Sequence, residues 1–239
     1  MRIARLHVDQ ALQADTVVAV AGEPAHYLVN VLRLKPGMHC TVFNSGDGEF
    51  AATVESTGRQ ELKLALGESI VCSANPTLKI HLGMGLSRGE RMDYAIQKST
   101  ELGVSEITPI FSARCEVKLS GDRLGNRLQH WRKIAINACE QCGRTLVPVI
   151  NSPMPLADWL VSNPAGIVLD PEGDTAIDML EIKNAVSVLT GPEGGLTDSE
   201  LQLAVTHGYR KLKIGPRVLR TETAPLVVLS LLQFCYGDF

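Results

Sequence analysis

Residues 189–200 read LTGPEGGLTDSE and residues 214–226 read IGPRVLRTETAPL. In both stretches an apolar, β-branched run enters a Gly-Pro turn that carries an ionisable side chain, and a helix is expected soon after. Glycine has no Cβ, so Gly191, Gly194, Gly195 and Gly215 let bare backbone approach a flat or crowded ligand without steric cost. Two such loops at the carboxyl ends of strands would form a ligand pocket of the kind open α/β sheets place there. A pair of tight strand-to-helix turns would produce the same pattern without a ligand. Thr197 with Glu200 three residues later makes a capping box, which predicts a helix from Asp198 to about Gly208. Thr223 followed by Ala224 and Pro225 marks the start of the last helix.

Two other motifs suggest chemistry and fall short of it. LGMGLSRG, residues 82–89, approximates a dinucleotide fingerprint, but Arg88 stands where the third glycine belongs. No acidic residue ends the next strand either, because EITPIF runs into Ser112 and Ala113. The CEQC of residues 139–142 has no second Cys or His pair at zinc spacing, and His130 lies on the same expected helix. At i and i+3 the two thiols share one helical face, which reads as a partly buried structural pair. No metal is implied.

The elements that must position the two glycine loops follow from periodicity. Residues 1–73 alternate in short runs, RIARLHV, TVVAV, HCTVFNS, GEFAATVES and ELKLALGES, which read as a small β-rich domain. One helix interrupts it at PAHYLVNVLRL, with Tyr27, Leu28, Val31, Leu32 and Leu34 as its apolar stripe. SANPT at 73–77 is the linker. Residues 74–239 then alternate strands (LKIHLGMG, VSEITPIFS, AGIVLD, AVSVLT, YRKLKIG) with helical stretches (RGERMDYAIQKSTELG, LQHWRKIAINACEQCG). That order predicts a mostly parallel sheet covered on both faces.

The longest apolar run, APLVVLSLLQF, is too short to span a bilayer, and six dispersed cysteines in a chain of 239 residues need no disulfide framework. This reads as a cytoplasmic protein with reduced thiols. Its net charge of −3 is unevenly spread: residues 79–145 hold 11 Lys+Arg against 7 Asp+Glu, whereas residues 146–239 hold 6 against 11. A basic middle segment in an acidic chain suits either a polyanion or a solvated helix face.

GPEGGLTDSE together with IGPRVLRTETA closely resembles the bacterial small-subunit ribosomal RNA uracil-N3 methyltransferases of the RsmE family, in the SPOUT class. HYLVNVLRLKPG, SRGERMDYAIQKSTELGVSEITPIFSARC and HWRKIAINACEQCGR fit the same pattern, so the likeness runs over nearly the whole chain. It implies a PUA-like β-barrel that binds RNA over 1–73. It also implies an α/β methyltransferase domain over 74–239, with a deep trefoil knot and a mostly parallel sheet. It implies a homodimer and S-adenosyl-L-methionine as cofactor. Carried over residue by residue, the cofactor loops are Leu189, Thr190, Gly191, Pro192, Glu193, Gly194 and Gly195, then Ile214, Gly215, Pro216, Val218, Leu219 and Arg220. Thr223, Ala224 and Pro225 close the pocket, and Leu169, with Asp170 beside it, ends the preceding strand.

Methyl transfer from a sulfonium is an in-line displacement, so holding the target nitrogen against the methyl carbon supplies much of the rate. Uracil N3 carries a proton that must leave, which makes Glu193 and Glu222 candidate bases and Arg220 a candidate stabiliser of charge on the uracil carbonyls. N3 lies on the Watson–Crick edge, so the uridine must be unpaired or turned out. Arg2, Arg5, Arg33 and Lys35, with Arg88, Arg91, Arg114 and Lys118, are the cations expected to grip the small-subunit RNA, within the assembled subunit. Two rival readings are a related methyltransferase acting on another base or a ribose, and a non-catalytic RNA-binding assembly factor.

Overall fold

The computed structural model describes residues 4–58, 61–72, 74–117 and 119–239, and the side chains of Glu23 and Tyr27 also lie outside that description. The chain forms two compact units, Met1–Asn75 with Cys139–Val147, and Pro76–Ala138 with Pro148–Phe239.

All five β runs expected in the first unit are strands: β1 (Ala4–His7), β2 (Val17–Ala21), β3 (His39–Asn44), β4 (Gly48–Thr57) and β5 (Glu61–Ile70). They form one sheet in the order β1-β3-β4-β5-β2, parallel between β1 and β3 and antiparallel elsewhere. Alternation sends Leu62, Leu64 and Leu66 of β5 into the core beside Val42, Val54 and Leu28. The expected helix divides into α1 (Glu23–His26) and a π turn over Tyr27–Val31. A π turn bonds i to i+5 and shifts the side-chain phase. Leu28 and Leu34 of the expected stripe are therefore buried, while Val31 is 59% exposed and Leu32 37%.

Arg5 does not serve as a free cation on this unit. Its Nε and Nη2 donate to the two carboxylate oxygens of Glu49, at 2.8 Å each. Its Nη1 and Nη2 also donate to the carbonyls of Cys139 (2.6 Å) and Gly143 (3.1 Å). These carbonyls end α3 (Gly121–Cys142), so the guanidinium satisfies a helix C-terminus and a carboxylate together. Burial pushes the Glu49 carboxyl up, but its hydrogen bond and charge contact with Arg5 outweigh that and hold it below the usual glutamate range.

The second unit holds a parallel sheet in the order β12-β10-β11-β6-β7-β8. Its strands are β6 (Lys79–Gly85), β7 (Glu106–Phe111), β8 (Val149–Ile150), β10 (Ile167–Leu169), β11 (Ala185–Thr190) and β12 (Arg210–Leu212). A two-residue β9 (Met154–Pro155) pairs with β7. Successive residues are buried in β6, β7 and β10, because helices cover both faces. α4 (Leu156–Ser162) and α5 (Asp198–Thr206) share a core in which Trp159, Leu160 and Ala204 meet Val168 and Leu189. α2 (Gly89–Glu101) packs on α6 (Ala224–Tyr236), which also touches β6. β12 stands at the sheet edge, so the chain between β12 and α6 must return across the ends of β10 and β11 to reach β6.

Replacing Arg5 by Ala leaves Glu49 buried without its partner, which costs about 3–5 kcal/mol. Urea unfolding at pH 7 should show that loss. Because Glu49 titrates below its ordinary value, the stabilisation is present above pH 4.5 and is lost as pH falls through the folded-state value. The gap between wild type and variant should narrow there, and a variant as stable as wild type at pH 7 contradicts the structural role of Arg5.

Candidate functional site

Three loops leave the carboxyl ends of β10, β11 and β12 and enclose a cavity of about 520 Å³. Each is held by a contact the sequence dictates. Thr197 and Glu200 form the complete capping box of α5: the Thr197 N–H donates to the Glu200 carboxylate at 2.8 Å, and the Glu200 N–H donates to the Thr197 hydroxyl at 3.2 Å. The other Glu200 oxygen accepts from the Ala113 N–H at 2.7 Å, tying the end of the β11 loop to the loop after β7. Within the β11 loop, Gly195 sits at φ 69 and its N–H donates to the Pro192 carbonyl at 2.8 Å. Few residues other than glycine adopt that left-handed turn without strain.

Gly85, at the end of β6, lies directly beneath the peptide joining Gly191 and Pro192, where a Cβ would collide with backbone atoms. The Thr221 hydroxyl donates to the Gly191 carbonyl at 3.1 Å, and the Ser87 hydroxyl stands 3.4 Å from it. The β12 loop is thereby fastened to the β11 loop over the end of β6. It closes with the Arg220 carbonyl accepting from the Thr223 and Ala224 N–H groups at 2.9 and 3.0 Å, which starts α6. On the β10 loop, the carboxylate of Asp170 accepts from the Glu172 N–H at 2.9 Å and pairs with Lys211 at 2.7 Å.

The apolar part of the cavity wall is made by Leu169, Leu212, Ile214 and Leu219 at and after the ends of β10 and β12, with Leu196 of the β11 loop and Leu201 of α5. Among the expected residues, Thr190, Gly191, Pro192, Glu193, Gly194, Gly195, Gly215, Val218, Arg220, Glu222 and Ala224 also line it. Val218 does so only at the rim, being 82% exposed. Leu189 is fully buried in the core behind the cavity. Pro216, Thr223 and Pro225 do not line it either; Pro225 is buried in the first turn of α6. Asp170, named beside Leu169, lines the cavity, as do Pro171, Leu196, Asp198, Leu201, Leu212, Arg217 and Thr221, which the sequence had not singled out. Leu212 ends β12 just as Leu169 ends β10, so the strand-end rule applied to β10 would have found it.

Apart from Asp170 Oδ2, which the Lys211 ammonium meets at 2.7 Å, two buried polar atoms on this wall lack a hydrogen-bond partner: the hydroxyl of Thr190, a residue 1% exposed, and Oε2 of Glu222. Buried polar atoms without partners are costly, so atoms left in that condition on a cavity wall point to a ligand that completes them. Glu193 is otherwise engaged, accepting from the Arg88 N–H and from Arg91 Nη1, both at 3.2 Å. It organises the loop.

A second, open depression of about 740 Å³ adjoins the cavity and is lined by Arg88, Glu90, Arg91, Ala113, Arg114, Cys115, Glu116, Glu193 and Gly194. Arg91, Arg114, Glu193 and Gly194 line both. Arg114 donates to the Gly194 carbonyl at 2.9 Å, and Arg88 pairs with Glu116 at 2.6 Å. Arg33 and Lys35 are exposed on the first unit, whereas Arg2 and Lys118 lie outside the described residues. In CEQC, the hydrogen bond between Cys142 and Cys139, together with burial, pushes the Cys139 thiol up, as suits an inert structural cysteine.

A family model described as an RNA methyltransferase domain matches residues 73–233, and one described as an RNA methyltransferase PUA domain matches residues 20–66. The ribosomal RNA small subunit methyltransferase E of Buchnera aphidicola subsp. Schizaphis graminum is 33% identical over 99% of this chain and 98% of its own length. The enzyme of the same name from Neisseria gonorrhoeae, solved bound to S-adenosyl methionine, superposes with a TM-score of 0.94 at 30% identity over the full length of both chains. A Legionella pneumophila protein solved with the bound cofactor SAM gives 0.95 at 34% identity, again over both full lengths.

The Gly85 crossing predicts opposite signs for two glycine replacements. Gly85→Ala should cost about 1–3 kcal/mol through overpacking. Gly125→Ala, in α3 where a new Cβ meets nothing within 4 Å, should stabilise by up to about 1 kcal/mol. Urea unfolding of both variants checks this; a neutral Gly85→Ala contradicts the crossing.

Proposed function

This chain belongs to the RNA methyltransferase family that includes ribosomal RNA small subunit methyltransferase E, and from that premise we propose that it methylates N3 of a uridine in small-subunit ribosomal RNA with S-adenosyl-L-methionine. The observation that carries the reading is the cavity itself: an apolar wall for a flat ring, two unpartnered buried acceptors, and an arginine-lined depression opening beside them.

The cofactor supplies an electrophilic methyl group on a sulfonium when bound. Leu169, Leu212, Ile214 and Leu219 would hold its ring, and the backbone of the β11 loop would take its polar edge, since pockets for flat ligands are mostly apolar with a few fixed polar groups. Arg220 is exposed at the cavity. There its guanidinium would stabilise negative charge on the uracil carbonyls as the N3 proton leaves. Closing the site around an unpaired base positions N3 for in-line attack. Arg88, Arg91 and Arg114 in the depression, with Arg33 and Lys35, form the grip on the RNA backbone in this proposal; Arg5 drops out because Glu49 and the α3 carbonyls occupy it.

The working form in this reading is a cytoplasmic homodimer acting on the assembled small subunit. Phe234 on α6 is 73% exposed, an apolar side chain that a second copy would cover. Among the described residues, no helix is long and apolar enough to cross a membrane.

Purified protein, labelled S-adenosylmethionine and unmethylated small subunits should yield N3-methyluridine on nucleoside mass spectrometry; a ribose-methylated nucleoside or no product contradicts the assignment. Arg220→Ala should lower the rate by about 10²–10³ while cofactor affinity stays within about threefold. RNA affinity should fall steeply between low and moderate salt, and a flat response contradicts the arginine grip.

A further inference from the structure

Glu222 carries a buried carboxylate oxygen with no donor, on the wall of the cavity. Arginines 91, 114, 217 and 220 line the same cavity, yet among the described residues no ion pair joins any of them to Glu222. Glu222 is half-buried, and a carboxylate oxygen shut off from water without a donor is costly, so its partner should come with the ligand.

The sheet order says which half of the ligand meets it. In the sequence of strands β12-β10-β11-β6, the apolar wall rises from the ends of β10 and β12. Glu222 belongs to the other side: its neighbour Thr221 is fastened to Gly191 at the end of β11 and to Ser87 just past β6. A ring seated on the apolar wall therefore sends the remainder of the ligand toward Glu222. Arg220 and Glu222 also flank Thr221 on one tight turn, closed by the Arg220 carbonyl accepting from the Thr223 N–H. In the function proposed above Arg220 faces the nucleobase, and the base must come within bonding distance of the methyl carbon. Glu222, two residues along the same turn and on the same cavity wall, would then face the sulfur.

We propose that Glu222 is the counter-ion of the cofactor's sulfonium and makes the site discriminate the charged methyl donor from its neutral demethylated product. The inference rests on the cofactor reading above. On transfer the bond between methyl carbon and sulfur breaks with its electron pair left on sulfur, the N3 lone pair forms the new bond, and the N3 proton passes to water. The sulfur becomes a neutral thioether, so Glu222 loses its cation at that moment and the product is released more readily than the donor. This gives Glu222 to the cofactor rather than to the N3 proton.

Calorimetry on the full chain tests it with three probes: S-adenosylmethionine, S-adenosylhomocysteine, and sinefungin, which carries an amine-bearing carbon where the sulfur stands. Wild type should bind the two cationic probes about tenfold or more tighter than S-adenosylhomocysteine, the effect of one hydrogen-bonded charge. In Glu222→Gln, an isosteric change checked by its unfolding midpoint, the three affinities should converge, with that for S-adenosylhomocysteine unchanged within about threefold. Equal affinities in wild type overturn the proposal whether or not the variant folds. So does an equal loss for all three probes in the variant, which would put the carboxylate on a ribose or amino group. An unchanged ratio with slowed methyl transfer would make Glu222 the base and also overturn it. Failure of all three probes to bind wild type would instead remove the cofactor reading itself.

Discussion

The peptide between Gly191 and Pro192 rests on Gly85 with no room for a Cβ between them. Everything that makes the second unit a site depends on that contact. It sets the height of the β11 loop above the sheet, and Thr221 then hangs the β12 loop from the Gly191 carbonyl. Arg114 and Glu200 hold the far end of the β11 loop by the Gly194 carbonyl and the Ala113 N–H. The cavity is what remains between loops fixed in this way. Its shape is thus set by backbone contacts, and its chemistry by the few side chains that backbone leaves unpaired.

Those side chains divide by environment. Glu193, a candidate base from its place in a glycine loop, instead accepts from Arg91 and a backbone amide and braces the loop. Glu222, two residues past Arg220 on the β12 loop, retains an unmet oxygen at the cavity. Arg5 repeats the lesson in the first unit. A cation near the start of an RNA-binding module looks like a phosphate ligand, yet the Glu49 pair and the α3 carbonyls consume all its donors.

Much of the architecture was legible because period and caps are local. The alternation of residues 61–70 and the Thr197–Glu200 box predict their elements to within a residue or two, as tertiary packing agrees with local preference there. The π turn at Tyr27–Val31 was not legible, since one extra residue per turn leaves no mark in an apolar pattern read at 3.6. The inclusion of residues 139–147 in the first unit was equally hidden: it rests on Arg5 and Asn75 reaching carbonyls and amides far along the chain. Within the site, the glycine loops could be read directly. The apolar floor from Leu196 and Leu201 could not, because the end of the β11 loop and α5 reach the strand ends only after folding.

The central claim is that the loops after β10, β11 and β12, crossing over Gly85, form a single cofactor cavity. Hydrogen exchange with and without S-adenosylmethionine tests it most directly. Added protection is expected in residues 190–196 and 213–223 together, with the first unit unchanged. Protection of only one of these loops, or protection confined to residues 1–75, would contradict it.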